Sequence, residues 1–305
     1  MSIRIVSSFI AALLLLNAAS RKPSGSGRGE NEDFILTATW PVGEAELRAA
    51  PKLRMVQHQG VGHDHVDKTA LKAHGIPFAI CPAGTTVGVA EHTLLLLLAV
   101  YKRLAVADAN MREGRWLQWE LRASSFELAG KTLGLLGFGR IGQAVAKRAS
   151  AFDATLLYHD PFLSGTPPAA AATGARSVAL HDLLAHSDIV SVHVPATEKT
   201  RRLIGTAEFQ RMKRSAILIN TARGTVVDEP ALVRALRDKV IAGAGLDVFE
   251  QEPINADNPL LKLDTVVLTP HISAGTVDAL REKMRSVFAN LQRCEKGEDL
   301  QDRVV

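Results

Sequence analysis

The chain has 305 residues, 47% of them hydrophobic, with 36 Lys and Arg against 32 Asp and Glu and a formal charge of +4. That length allows about two domains, and the scattered charges form no basic stripe interleaved with aromatics, which argues against a nucleic-acid partner. The two cysteines, Cys81 and Cys294, lie far apart. They suit a reducing compartment and give no metal-ligand spacing, so no metal is expected.

The N-terminus, MSIRIVSSFIAALLLLNAAS, admits two readings. Arg4, an apolar run and small residues outline a signal peptide. IRIVSS followed by an apolar helix is the preferred reading, because later motifs imply a cytoplasmic cofactor enzyme. The runs 9–16 and 94–100 are too short to span a bilayer, so no membrane partner is expected. Residues 21–33, RKPSGSGRGENED, read as a linker. FILTATW is a strand, AELRAAP a helix stopped at Pro51, and KLRMVQHQ a strand running into GVGHDHVD (60–67). A helix over 68–74, the strand IPFAI and the loop CPAGTTVG follow. One long helix is predicted over 89–112, its leucines buried in a core or a subunit contact.

From Lys131 strands and helices alternate. TLGLLGF, TLLYHD, DIVSVHVP, SAILINTA, AGAGLDVF and TVVLTPH read as strands. RIGQAVAKRASAF, ALHDLLAHS, GTAEFQRM and EPALVRALRDK read as helices, the last with Asp228 as N-cap and Pro230 in its first turn. Val/Ile/Leu-rich strands alternating with helices predict a parallel sheet covered on both faces. A helix over 277–292 closes the pattern, with the last residues fraying.

Gly137, Gly139 and Gly142 sit in GFGRIG, after a strand and at the start of a helix, as a dinucleotide turn requires. The first glycine permits the tight turn, the second lets backbone approach a pyrophosphate, and the third allows close packing. Arg140 and Ile141 open the helix, whose free N–H groups favour phosphate. Asp160 closes the next strand, placed to bond ribose hydroxyls and repel a 2′-phosphate. NAD is therefore expected over NADP.

Ligands of open parallel sheets bind outside the carboxyl ends of the strands. Arg223, Asp247 and His271 fall at such ends, and Glu252 lies in the loop after Asp247. Arginine presents a fork to a substrate carboxylate. Histidine handles a proton near neutral pH, and a carboxylate on its other nitrogen fixes its tautomer. The set suits hydride transfer to a 2-oxo acid.

GVGHDHVD, VAEHTLLLLLA, REGRW, ELAGKTLGLLGFGRIG, NTARGTVVDEPAL, GLDVFEQEP and TPHISAGT stand in order along the chain. That set resembles the D-isomer-specific 2-hydroxyacid dehydrogenases over about residues 34–290. The resemblance implies an α/β protein in which a Rossmann-type doubly wound parallel sheet is inserted into a smaller flavodoxin-like α/β substrate domain. The expected parts are residues 1–97, an NAD-binding domain over 98–270, and a return to the substrate domain over 271–305. It further implies a homodimer acting on a small 2-oxo or 2-hydroxy acid such as glyoxylate or hydroxypyruvate. Arg223 then resembles the carboxylate-binding arginine, His271 the general acid/base and Glu252 its partner. Asp247 resembles a nicotinamide contact, Pro195, Thr221 and Ala222 cofactor-lining residues, and Val61 and Gly62 a loop holding the substrate carboxylate. Trp116 and Trp119 are read as pocket-lining, core or dimer residues.

His58 stands where animal-type phosphoglycerate dehydrogenases carry arginine, and no regulatory C-terminal domain follows; both weigh against a phosphoglycerate substrate. Thr85 and Glu252 replace the asparagine and glutamine of formate dehydrogenases of this fold, which weighs against formate. About 33 residues precede FILTATW where relatives have two βα units, so one unit is missing or remodelled. A dinucleotide-sensing corepressor-like protein and a truncated, inactive member are the alternative readings.

Overall fold

The computed structural model describes residues 3–6, 33–38 and 40–305. The predicted apolar helix over 9–16 and nearly all of the linker lie outside the described residues. The chain forms two compact units, Met1–Thr85 together with Val277–Val305, and Thr86–Thr276.

The first unit is built on four parallel strands in sequential order: β1 (Ile3–Val6), β2 (Phe34–Thr37), β3 (Met55–His58) and β4 (Phe78–Ala79). β1 pairs with β2 from Ile3–Phe34 to Val6–Thr37, as expected if IRIV is a strand. Asp67 caps the helix Lys68–Ala73 by accepting from the Thr69 and Ala70 N–H groups. The terminal helix Val277–Lys296 runs four residues beyond the predicted 292. Its buried Asn290 donates to Gln57 Oε1 at 3.0 Å and exchanges bonds with the Gln301 backbone. The expected fraying of the last residues is wrong. Arg303 bridges Ala79 in antiparallel sense, and Val304 N–H donates to the Phe78 carbonyl at 2.7 Å. These bonds satisfy the outer side of the two-residue β4.

The second unit carries seven strands, β5 (Thr132–Leu136), β6 (Thr155–His159), β7 (Arg176–Ser177), β8 (Ile189–Val192), β9 (Ile217–Asn220), β10 (Gly243–Leu246) and β11 (Val266–Leu268). Their spatial order is β11-β10-β9-β8-β5-β6-β7, every pair parallel. The order reverses between β5 and β8, which makes that edge the switch point of a Rossmann sheet. β8, β9 and β10 are buried at every position, as a sheet covered on both faces requires. Asp228 caps the helix Glu229–Arg237 through the Ala231 N–H at 2.9 Å, with Pro230 in the first turn.

Three further elements differ from the sequence reading. The helix predicted over 89–112 is two helices, Thr85–Tyr101 and Leu104–Arg112. Arg103 sits between them in the left-handed region (φ 53°), its guanidinium on the carbonyl and carboxylate of Asp264. The helix Pro168–Thr173 and the strand β7 were not predicted; six and two residues are too short to show a period. Trp116 and Trp119 are exposed, which removes the core reading for both.

Candidate active site

The glycine turn is shaped by its neighbours. Gly137 has φ +93°, and a Cβ there would stand 2.7 Å from the His193 carbonyl oxygen. A Cβ on Gly142 would stand 2.3 Å from the Gly137 carbonyl oxygen, so the helix Arg140–Ser150 packs on the turn only without a side chain. Gly139 differs: its φ is −73° and a Cβ would enter open space. Among the described residues nothing requires a glycine there. Space at a helix N-terminus, flanked by N–H groups, fits a dinucleotide pyrophosphate.

Asp160 ends β6 and ties into the turn. One carboxylate oxygen accepts from Phe138 N–H at 2.9 Å and the other from Phe162 N–H at 3.1 Å. It therefore shapes the turn. Buried Phe138 stacks on Tyr158 at 4.1 Å and anchors the turn from below. Arg140 and Ile141 begin the helix. Pro195 lies in the exposed loop after β8, its carbonyl accepting from Thr200 Oγ1 at 2.6 Å. His193, which the sequence reading passed over, abuts Gly137; desolvation pushes its pKa down to about 3, so its imidazole is neutral.

The loop after β9 holds Thr221, Ala222 and Arg223. Buried Asn220 braces it, accepting from Ala222 N–H and donating to the Arg223 carbonyl, each at 3.0 Å. The Thr221 hydroxyl is buried against Thr93 Oγ1 at 3.0 Å. Arg223 folds back to the Ala222 carbonyl through Nη1 at 2.8 Å. Gly224 lets this loop meet the next: a Cβ would stand 1.9 Å from the Phe249 carbonyl group. Glu229 pins that next loop, accepting from Glu250 N–H at 3.0 Å and Asn258 Nδ2 at 2.7 Å.

His271 and Glu252 meet there, with Nδ1 and Oε2 2.6 Å apart and about two fifths of each side chain exposed. Burial pushes the Glu252 carboxyl up. The bonds from His271 and Phe249 N–H, with the nearby charges of His271 and Arg223, outweigh it and hold the carboxyl below its usual range. The ionised carboxylate can only accept, so Nδ1 carries the proton. Arg223 is thus within electrostatic reach of the pair.

Asp247 follows β10. It is fully buried below the His271 loop. Burial pushes its carboxyl up, but bonds from His92, Thr269, Ile272 N–H and Ser273 N–H bring it down to about 2. Val61 and Gly62 lie in the first unit, in the loop after β3. Buried His58 shapes that loop, its Nδ1 accepting from Gly60 N–H at 2.8 Å and its Nε2 meeting the Ala38 carbonyl at 2.7 Å. The bracing residues Asn220, Gly224 and Glu229 carried no chemical signal of their own in the sequence. Among the described residues no group of three His, Cys, Asp or Glu is placed to hold a metal ion, and no helix is long and apolar enough to cross a membrane.

A Rossmann sheet with this turn at its switch point defines a dinucleotide-binding protein, and the comparisons narrow the class. The family model for the D-isomer specific 2-hydroxyacid dehydrogenase NAD binding domain matches residues 94–273. A glyoxylate reductase of Korarchaeum cryptofilum is 43% identical over 267 residues, covering 87% of this chain and 80% of that protein. A D-3-phosphoglycerate dehydrogenase of Archaeoglobus fulgidus is 42% identical over 248 residues, but this chain spans only 46% of its length. The crystal structure of D-lactate dehydrogenase from Aquifex aeolicus, complexed with NAD and lactic acid, superposes with a TM-score of 0.85 at 30% identity, covering 98% of this chain and 96% of that one. The chain belongs to the D-isomer specific 2-hydroxyacid dehydrogenase family, NAD-dependent oxidoreductases acting on CH–OH groups.

Proposed function

We propose that the chain reduces a small, non-phosphorylated 2-oxo acid of the glyoxylate or hydroxypyruvate kind, using NADH. The observation that carries this reading is the His271–Glu252 pair, 2.6 Å apart, within electrostatic reach of Arg223 at the carboxyl ends of the sheet. The turn at Gly137, Gly139 and Gly142 would hold the pyrophosphate, helped by the N–H groups of Arg140 and Ile141. Asp160 would take the adenine ribose, and the loops of Pro195, Thr221 and Ala222 would line the cofactor. When bound there, NADH supplies the hydride.

The protein's own groups supply position and a proton. Arg223 pairs with the substrate carboxylate through its planar fork and polarises the adjacent carbonyl. His271 Nε2 delivers a proton to the 2-oxo oxygen, Glu252 stabilises the charged ring through Nδ1, and solvent returns the proton through the exposed edge. The buried, carbonyl-bound His58 offers no free cation for a phosphate, which favours the non-phosphorylated acid. Thr86–Thr276 acts as the cofactor domain and the remainder as the substrate domain of a cytoplasmic homodimer.

Absorbance at 340 nm with NADH or NADPH, against glyoxylate, hydroxypyruvate, pyruvate, phenylpyruvate and 3-phosphohydroxypyruvate, tests the reading. The expected result is NADH-dependent turnover of a non-phosphorylated acid, lost about 10²- to 10⁴-fold in His271→Ala. Dinucleotide binding without turnover on the whole panel would replace it with a sensing protein or an inactive member.

A further inference from the structure

One face of the helix Thr85–Tyr101 lies along β10 and the His271 loop. Its residues at four-residue spacing meet successive positions of β10 and of the loop that follows β11. A Cβ on Gly243 would stand 3.2 Å from Val100, and one on Gly245 would stand 2.9 Å from the Leu96 Cβ. One turn back, His92 Nε2 lies 3.4 Å from Asp247 Oδ1. Another turn back, a Cβ on Gly88 would stand 3.0 Å from the Ser273 carbonyl oxygen. Val100, Leu96, His92 and Gly88 thus form one ridge. Its single polar member faces the single buried carboxylate on the strand.

The bond directions in that cluster follow from chemistry. Asp247 is ionised and accepts only, so Thr269 Oγ1 spends its proton on Asp247 Oδ1 at 2.6 Å. Thr269 Oγ1 must then accept from His92 Nε2–H, 2.9 Å away. Asp247 passes the constraint on, accepting from Ile272 N–H at 3.0 Å and Ser273 N–H at 2.9 Å, while its carbonyl accepts His271 N–H at 2.8 Å. His271 sits at φ +52°, a left-handed conformation that a non-glycine residue holds only when its surroundings enforce it.

We infer that His92 is a positioning residue for the reaction: through Thr269 and Asp247 it locks the 269–273 loop in the conformation that presents His271. This assignment rests on the reading of His271 as the proton donor, but its structural part stands apart from turnover. His92 touches neither reacting atoms nor Glu252 among the bonds above; it acts two bonds away.

The test compares His92→Leu, His92→Gln and Thr269→Val by hydrogen exchange with mass spectrometry and by steady-state kinetics. Leucine removes the donor, glutamine keeps one, and valine cuts the same link from its other end should the leucine variant not fold. In His92→Leu and Thr269→Val the peptide over 270–275 is expected to exchange at least about five-fold faster, with the glycine-turn peptide unchanged. His92→Gln is expected to stay near wild type. The kcat falls about ten- to hundred-fold in the first two variants, with KM for NADH unchanged. Unchanged exchange at 270–275, or acceleration spread evenly over the chain, overturns the assignment. Local acceleration in a protein whose wild type reduces no 2-oxo acid upholds the lock and rejects the proposed reaction.

Discussion

Replacing Gly139 and Gly142 separately with alanine distinguishes a glycine kept for a ligand from one kept for the fold. At Gly139 the backbone angle (φ −73°) suits alanine and the new methyl enters open space. The unfolded chain loses about 0.4–1 kcal/mol of conformational freedom, which favours folding. Alanine is a poorer N-cap than glycine by about the same amount. The two effects offset, so Gly139→Ala should melt within about 3 °C of wild type, at about 2–4 °C per kcal/mol for a unit of this size.

The dinucleotide reads the same methyl differently. It would stand between the turn and the pyrophosphate and cost at least one charge-assisted N–H bond, worth about 1.5–3 kcal/mol. That is about a 10- to 150-fold rise in the Kd for NADH. In Gly142→Ala the methyl stands 2.3 Å from the Gly137 carbonyl oxygen, and backbone must move. Overpacking of this kind costs about 1–3 kcal/mol, so this variant should melt several degrees lower as well as bind weakly. Calorimetry gives the melting points, and NADH fluorescence titration gives the Kd. A Gly139→Ala protein that binds NADH as wild type does would refute the placement of the pyrophosphate on this turn.

Other substitutions probe the remaining groups. Arg223→Lys keeps the charge but loses the fork, and should raise KM for the 2-oxo acid about 10- to 100-fold with Kd for NADH unchanged, read by initial rates. Asp160→Asn keeps one of the two acceptors that the Phe138 and Phe162 N–H groups use and removes the charge proposed to repel a 2′-phosphate; the ratio of kcat/KM for NADH over NADPH should fall. Gly224→Ala places a methyl 1.9 Å from the Phe249 carbonyl and should lower the melting temperature by several degrees while separating the Arg223 and Glu252 loops. Asp247 has a depressed pKa, about 2 in the fold against 3.8 as the ordinary value, so it stabilises the fold above about pH 4 and loses that contribution as pH falls toward 2. Asp247→Asn should therefore cost about 2 kcal/mol near neutrality, with the gap from wild type shrinking below about pH 4 in urea titrations; a gap constant with pH would contradict this.

The groups proposed to do the chemistry were legible because a parallel sheet sends them to strand ends, where motifs sit in short loops. Arg223 follows β9, His271 follows β11, and the glycine turn follows β5, so locating strands located them. What escaped was set by distant contacts. The break at Arg103 is held by Asp264, 161 residues away, and no local pattern marks it. His92 sits in the VAEHTLLLLLA run between Glu91 and Thr93, ahead of the leucines, and its partner Thr269 is 177 residues further on. Only the packed ridge shows that its neighbours serve the core while it serves a loop.

Asp247 and Glu252 stand five residues apart, and both act on His271, yet their environments assign them different work. Asp247 is sealed, and Thr269 Oγ1, Ile272 N–H and Ser273 N–H donate to its oxygens, so it stays ionised near neutral pH and is spent on the loop. It holds main chain. Glu252 is half exposed and keeps one oxygen on Phe249 N–H and the other on the imidazole, which leaves it able to respond as charge develops on His271. Removing Asp247 loosens the loop before any chemistry begins, whereas neutralising Glu252 leaves the loop in place and withdraws charge from the proton donor. The two losses have different kinetic signatures: Asp247→Asn should add protein instability to a lower kcat, whereas Glu252→Gln should fold as wild type and lose turnover alone.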